Sequence, residues 1–225
     1  MNAECTCALH GPGTPTSQMV LHCLLNDKFD VMKRMLAYFN QKAAELGGVI
    51  TTIYMDECDV DGKKVEYDML SLPLTMKKMD YAKELVKAGV DPVSGGNPKG
   101  EKLDVVPMFQ EYYERGTNEF IRWVFNEYIP ENPEIEQKAF IQRLIQTIIS
   151  MNEKDRENGR WKQRKRTAAH AVLTSGHLKT IEQLIQCGKE NSLDLLAEQS
   201  CTGQTALHHA AENNDEESVD ILLYL

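Results

Sequence analysis

Apolar residues along this chain come in short paired runs, with a few polar residues between the two members of each pair. The clearest pair is 206–211 followed by 219–223, split by a polar stretch from Glu212 to Ser218. Similar pairs are 167–173 with 181–185, 19–25 with 32–36, 68–74 with 81–86, and 107–113 with 120–125. Each reads as two short amphipathic helices joined by a turn. Two other patterns interrupt the pairs. The β-branched run Val49-Ile-Thr-Thr-Ile-Tyr54-Met and the segment Lys63-Lys-Val65-Glu-Tyr67 flank an acidic stretch that ends in Asp61-Gly62. They predict a long hairpin with the acidic stretch as its loop. Further on, Ile141, Leu144, Ile145, Ile148 and Ile149 fall on one helical stripe. Asn132-Pro133-Glu134 just before them has the order of an N-cap, a proline at the first helical position and an early acid. That stripe predicts an added helix that packs on the pairs or else offers a partner-binding groove.

The best-preserved pair opens with Thr205-Ala-Leu-His208-His-Ala210-Ala211. A second copy opens with Thr167-Ala-Ala-His170 and runs through Gly176 to Gly188, 38 residues upstream. Both resemble the ankyrin-repeat family, whose units of about 33 residues begin T-P-L-H-x-A. The resemblance implies an all-α solenoid of about five helix-pair repeats, with hairpin loops and one inserted helix. Repeats are expected to start near residues 19, 68, 107, 167 and 205, within a domain spanning 19–225. Residues 1–18 are expected to form a flexible tail, and 126–166 the insertion. In the family the motif histidine is structural, bonding the motif threonine and nearby backbone, and the same is expected of His170 and His208. Gly176 is expected to take a left-handed turn between paired helices.

The other copies depart from the pattern. Around Met19-Val-Leu21-His22 the motif Leu-His survives, Leu24-Leu25 replaces the small pair, and Lys28 stands where the turn glycine would be. An end repeat with one open face tolerates that change. The second copy has Ser71 in place of the motif histidine, and closes on Ala88-Gly89-Val90-Asp91, which echoes the family's Gly-Ala-Asp ending. In the third, Phe109, Tyr112, Tyr113, Phe120, Trp123 and Phe125 are read as core or else as an aromatic contact patch. The apolar end 221–225 would be an unsealed face. The expectation there is a fragment of a longer ankyrin-repeat protein, or a dimer through the last repeat.

Charge narrows the partners. The chain is −9 at neutral pH, which disfavours nucleic acid and anionic membranes. No apolar run reaches the length of a membrane span. Six scattered cysteines lack paired metal-ligand spacing and suit free thiols in a reducing cytosol. Neither the acidic hairpin stretch nor Cys5, Cys7 and His10 makes a convincing metal site, so no metal and no cofactor is expected. No nucleophile elbow, phosphate loop, zinc-protease or kinase signature occurs. No catalytic residue is assigned, and the chain is read as non-enzymatic.

What remains is protein recognition, which the resemblance implies. By phase within the repeat, the expected contacts are Tyr54, Asp59, Asp61 and Lys63 of the hairpin and Gln110, Glu111 and Glu114 of the third repeat, with His209 and Asn213 of the fifth. The basic segment Arg160-Trp161-Lys162-Gln-Arg164-Lys165-Arg166 adds Arg160, Trp161, Lys162 and Arg164, as an acidic-partner contact or a nuclear-import signal. The leading expectation is a cytosolic interaction module that binds a protein through its concave face and hairpin tips. The alternative is a scaffold or substrate-recruiting segment of an enzyme or bacterial effector whose active domain lies after residue 225.

Overall fold

The computed structural model describes residues 15–45, 54–60, 63–95, 106–162 and 164–225. Cys5, Cys7, His10, Asp61 and the first half of the expected first strand lie outside them. The chain divides into two compact units, Met1–Glu101 with Val106–Gln110, and Lys102–Val105 with Glu111–Leu225.

The first unit holds two helix pairs and the hairpin. Helix α1 (Pro15–Leu25) packs on α2 (Phe29–Glu45), and α3 (Ser71–Thr75) on α4 (Met79–Lys87). Helix α1 starts at Pro15, so residues 15–18 are helical where a flexible tail is expected. Val20, Cys23 and Leu24 of α1, Met32 and Leu36 of α2, and Leu74, Tyr81, Leu85 and Val86 of the second pair are all buried. Strands β1 (Tyr54–Val60) and β2 (Lys63–Asp68) pair antiparallel, with an irregularity between Met55 and Cys58. The acidic stretch is therefore strand rather than loop. The ladder runs up to Val60 opposite Lys63.

The turns inside the pairs follow one rule. Lys28 N donates to Cys23 O at 2.8 Å, and Lys78 N to Pro73 O at 2.8 Å. The residue before each donor, Asp27 (φ 56°) or Lys77 (φ 62°), is left-handed. This is the closing geometry that normally takes glycine. The expected glycine substitute, Lys28, is thus one residue late. A cation then fixes the first turn: Lys78 Nζ donates to Leu24 O at 2.6 Å and meets Asp27 Oδ1 at 3.1 Å. Tyr81, edge-on to Phe29 at 5.1 Å, donates its hydroxyl toward Asp27 at 3.3 Å. Burial, and then the Asp27 charge, push the Tyr81 phenol up to about 12, so it stays a donor.

Helix α5 spans Pro107–Arg115. In the second unit α6 (Glu119–Trp123) continues through a π-helical turn (Val124–Tyr128) into a last α-turn (Ile129–Glu131). Pro130 would collide with the carbonyl four residues back in a regular helix, and the wider turn makes room for it. Asn132 ends this segment by donating its amide to Tyr128 O at 2.6 Å. It does not start the next helix, so α7 (Gln137–Glu157) begins four residues beyond Pro133. Helix α7 buries Phe140, Ile141, Leu144, Ile145, Ile148 and Met151, leaves Ile149 half-buried, and lies along α9 (Leu178–Glu190). Helix α8 (Ala168–Leu173) sits between α9 and α10 (Ala206–Glu212), and α11 (Glu216–Tyr224) closes against α10. The aromatics of the third pair are core: Tyr112, Phe120, Trp123 and Phe125 are buried, and Phe125 meets Phe140 edge-on at 6.0 Å.

Gly176 is not left-handed. A Cβ there would meet Thr180 at 3.3 Å, so its smallness serves close packing. Left-handed glycines of this unit are Gly116 (φ 73°), Gly159 (φ 67°) and Gly203 (φ 78°), and at Gly116 a Cβ would lie 2.8 Å from the Arg166 guanidinium. Gly116→Ala therefore carries both backbone strain and a clash, and should cost about 1–2 kcal/mol in urea unfolding. Asn214→Gly, at a left-handed turn (φ 53°) with an ordinary side chain, should be neutral or stabilising. Equal loss in the two variants would refute this account of the turns.

Candidate partner-binding surface

Two threonines begin the inner helices of the last two pairs. Thr167 Oγ1 accepts from His170 N at 3.3 Å, and Thr205 Oγ1 lies 2.9 Å from His208 Nδ1. His208 also receives Thr205 N at 3.3 Å, which makes a reciprocal capping box. His208 thus holds the motif threonine, as the pattern implies. His170 is bonded differently. It is fully buried, and its Nε2 bonds Glu198 O at 3.0 Å.

His209 packs against His170 across the α8–α10 interface, ring centroids 4.8 Å apart and planes tilted by 43°. It is buried, with Nδ1 3.6 Å from Glu212 Oε2. Burial holds both imidazoles toward the neutral form: His170 is pushed down to about 4, while for His209 the Glu212 charge opposes part of the shift. Two neutral rings can pack in one apolar seam; two imidazolium ions cannot share it.

The expected contact residues separate into three groups. Tyr54, Asp59 and Lys63 lie on β1 and β2, where the ladder sets Asp59 opposite Lys64; Asp61 falls outside the described residues, as do the side chains of Glu114 and Trp161. Glu111 and His209 are turned inward. Glu111, 5% exposed, accepts from Thr117 Oγ1 at 2.8 Å and Phe120 N at 3.2 Å, and so ties down the α5–α6 turn. Gln110 is half-buried. Arg160, Lys162 and Asn213 are exposed, though the Asn213 amide also donates to His209 O at 2.9 Å.

The basic segment is divided by its own packing. Arg164 Nε pairs with the buried Asp155 Oδ2 at 2.7 Å, and its guanidinium lies 4.8 Å from the Tyr113 ring centroid. Arg166 donates to the carbonyls of Tyr112 and Tyr113, both at 3.3 Å. These two arginines fasten the segment to α5 and α7. Arg160 and Lys162, on a short 3-10 turn, and Lys165 face solvent. The sequence marked the cluster but not the anchoring of Arg164 and Arg166, because Arg166 finds its carbonyls more than fifty residues away in the chain.

A third cationic anchor had no sequence signal. Arg122 donates Nε to Thr174 O at 3.2 Å and pairs with Asp215, while Asn118 donates to Thr174 Oγ1 at 2.8 Å. The turn of the α5–α6 pair therefore joins the turns of both later pairs. Helix α8 emerges with every residue buried, so it offers nothing to a partner. Among the described residues no group of three His, Cys, Asp or Glu gathers to hold a metal, and no helix is long and apolar enough to cross a membrane.

The family model described as Ankyrin repeats (3 copies) matches residues 135–225, which takes in α7 together with the last two helix pairs. No curated protein and no solved structure matches the chain significantly.

The buried histidine makes stability depend on pH. Unfolded His170 protonates near 6.5 but the folded ring only near 4, so its contribution is intact above 6.5 and lost as pH falls from 6.5 to 4. The loss should reach roughly 3 kcal/mol at pH 4. His170→Gln should lower stability at pH 7 yet flatten the fall over that window in urea titrations. A variant that falls as steeply as wild type would overturn the assignment.

Proposed function

Because residues 135–225 belong to the ankyrin-repeat family, we propose that the chain works as a protein–protein interaction module. Ankyrin repeats are generally recognition units, and recognition here uses side chains at the rim of the stack. The observation that carries this reading is the complete burial of α8. An inner helix with no exposed residue cannot serve as a concave contact face. The partner then meets what surrounds it, namely Arg160 and Lys162 on their turn, Lys165, His208 and Asn213. Exposed cations on a −9 body favour a partner that is locally acidic. They speed encounter and set orientation more than they add affinity. The β1–β2 hairpin stands as a second contact in the same proposal, and the cytosol as its compartment, since Cys23, Cys187 and Cys201 are free thiols.

The test is affinity capture from cell extract with the 225-residue chain, quantified by mass spectrometry, beside an Arg160→Glu/Lys162→Glu variant. Reversing two rim charges should reduce recovery of a specific partner about tenfold and make the remainder less salt-sensitive. Helix content and melting of both proteins, measured alongside, show whether the variant is folded. Equal recovery by the two proteins would move the contact surface off this rim, and no specific partner for wild type would sink the module reading.

A further inference from the structure

Helices α7 and α9 run side by side in the same direction. Three side-chain pairs mark the register: Gln137 with Gln183 at 3.2 Å, Gln146 with Asn191 at 2.7 Å and, beyond α9, Asn152 with Glu198 at 3.4 Å. Between the two helices lies an open cleft of about 700 Å³ that none of the sequence-predicted residues line. Its volume is in the range of ligand and peptide sites. Lys138 and Gln142 of α7 form one wall, and Lys179, Gln183 and Gln186 of α9 the other, all of them exposed. Ile141 and the half-buried Cys187 make the floor.

The chemistry of the lining selects the shape of an occupant. A helix satisfies its own backbone and asks a groove for a continuous apolar stripe. This floor supplies one isoleucine and one thiol between polar walls, which is too little. An extended chain brings unpaired N–H and C=O groups and asks for amide partners. Gln142 lines the cleft with a donor and an acceptor, while Gln183, which accepts from Gln137 at 3.2 Å, keeps its amide N–H groups, and Gln186, which donates to Glu190 at 2.9 Å, keeps its carbonyl. From Lys179 to Asn191 α9 rises roughly 18 Å, room for about five extended residues.

Charge sets the direction. Lys138 and Lys179 lie at the amino ends of their helices, where the backbone dipoles of two parallel helices add to the lysine charges. Glu190 lies at the carboxyl end of α9, beside Asn191. Glu182, one turn in from Lys179, opposes a second acid next to the first.

We propose that the α7–α9 cleft binds an extended segment of a partner protein. The segment is about five residues long. It carries an acidic residue at the end that meets Lys138 and Lys179, a small apolar residue over Ile141, and a basic residue toward Glu190. This assignment rests on the interaction-module reading and names one of its docking sites.

The probe is acetyl-Asp-Gly-Val-Gly-Lys-amide, titrated into the isotope-labelled 225-residue chain and followed by amide chemical shifts. Its neutral counterpart, with Asn for Asp and Gln for Lys, serves as control. Shifts should cluster along α7 and α9, and the charged peptide should bind more tightly than the neutral one. Lys138→Glu/Lys179→Glu should weaken the charged peptide about tenfold, the size of one lost charge-assisted contact, and leave the neutral one unchanged. Gln142→Leu/Gln186→Leu should weaken both peptides. Shifts elsewhere, no shifts, or equal binding by wild type and the lysine variant would each overturn the proposal. Running the lysine variant through the extract capture separates the two readings: a partner still captured by it and lost by the Arg160/Lys162 variant keeps the module and removes the cleft.

Discussion

Helix α8 has six residues and no exposed face, and the second unit is arranged to cover it. A helix this short is marginal by itself, so its existence depends on tertiary burial. Ala168, Ala169 and Ala171 allow neighbouring backbones close, and Val172 and Leu173 fill the seam. The ring that α8 itself brings into that seam, His170, must bond something. It reaches the Glu198 carbonyl, which pins the approach to α10 against the helix. Its other nitrogen, Nδ1, has no partner. The ring stays neutral because a buried charge beside a second imidazole would cost more than that missing bond. One constraint thus fixes the order of α8, the 191–199 connection and α10.

The same physics shapes the turns within each unit. A helix pair that closes on a left-handed residue leaves carbonyls at the end of its first helix, and a cation is the cheapest donor for them. In the first unit Lys78 takes Leu24 O and pairs with Asp27. In the second, Arg122 takes Thr174 O, although no residue of that turn is left-handed, and pairs with Asp215, which follows left-handed Asn214. Lysine serves one carbonyl and one carboxylate as a point charge, whereas arginine's fork spans two separate turns. The basic residues that do this are lost to recognition. In the basic segment Arg164 and Arg166 are taken up likewise, by Asp155 and by the carbonyls of Tyr112 and Tyr113.

Local chemistry was legible in the sequence. Thr167 and Thr205 as caps, His208 on its threonine and the stripe of α7 all follow from spacing within one helix or turn. The Asp61-Gly62 step pointed to a hairpin, and the ladder then reached further along the acidic strand than its charges suggested. What spacing could not give is the identity of distant neighbours. Glu111 and His209 have the phase of exposed residues but turn inward, because Phe120 N and His170 wait there. Gly176 reads as a turn glycine and is instead a packing glycine, since Thr180 fills the space its side chain would need. Left-handed Asp27, Lys77 and Asn214 escaped notice for the opposite reason: ordinary side chains accept that conformation at a modest cost when the hydrogen bonds of the turn demand it.

Helix α7 carries this furthest. By spacing it is an interruption between two repeats; by packing it is the neighbour α9 needs. Its apolar stripe of Ile141, Leu144, Ile145 and Ile148 is buried, and the helix lies along α9. Two parallel helices of unequal length cannot seal their flanks against each other, so the polar side chains at the edges stand apart and leave a trough. A repeat stack without that long helix would show a flatter outer surface here. The residue spacing that sets α7 apart from the repeats is therefore also what gives this face its relief, and relief with matched amides and opposed charges is what recognition of an extended chain requires.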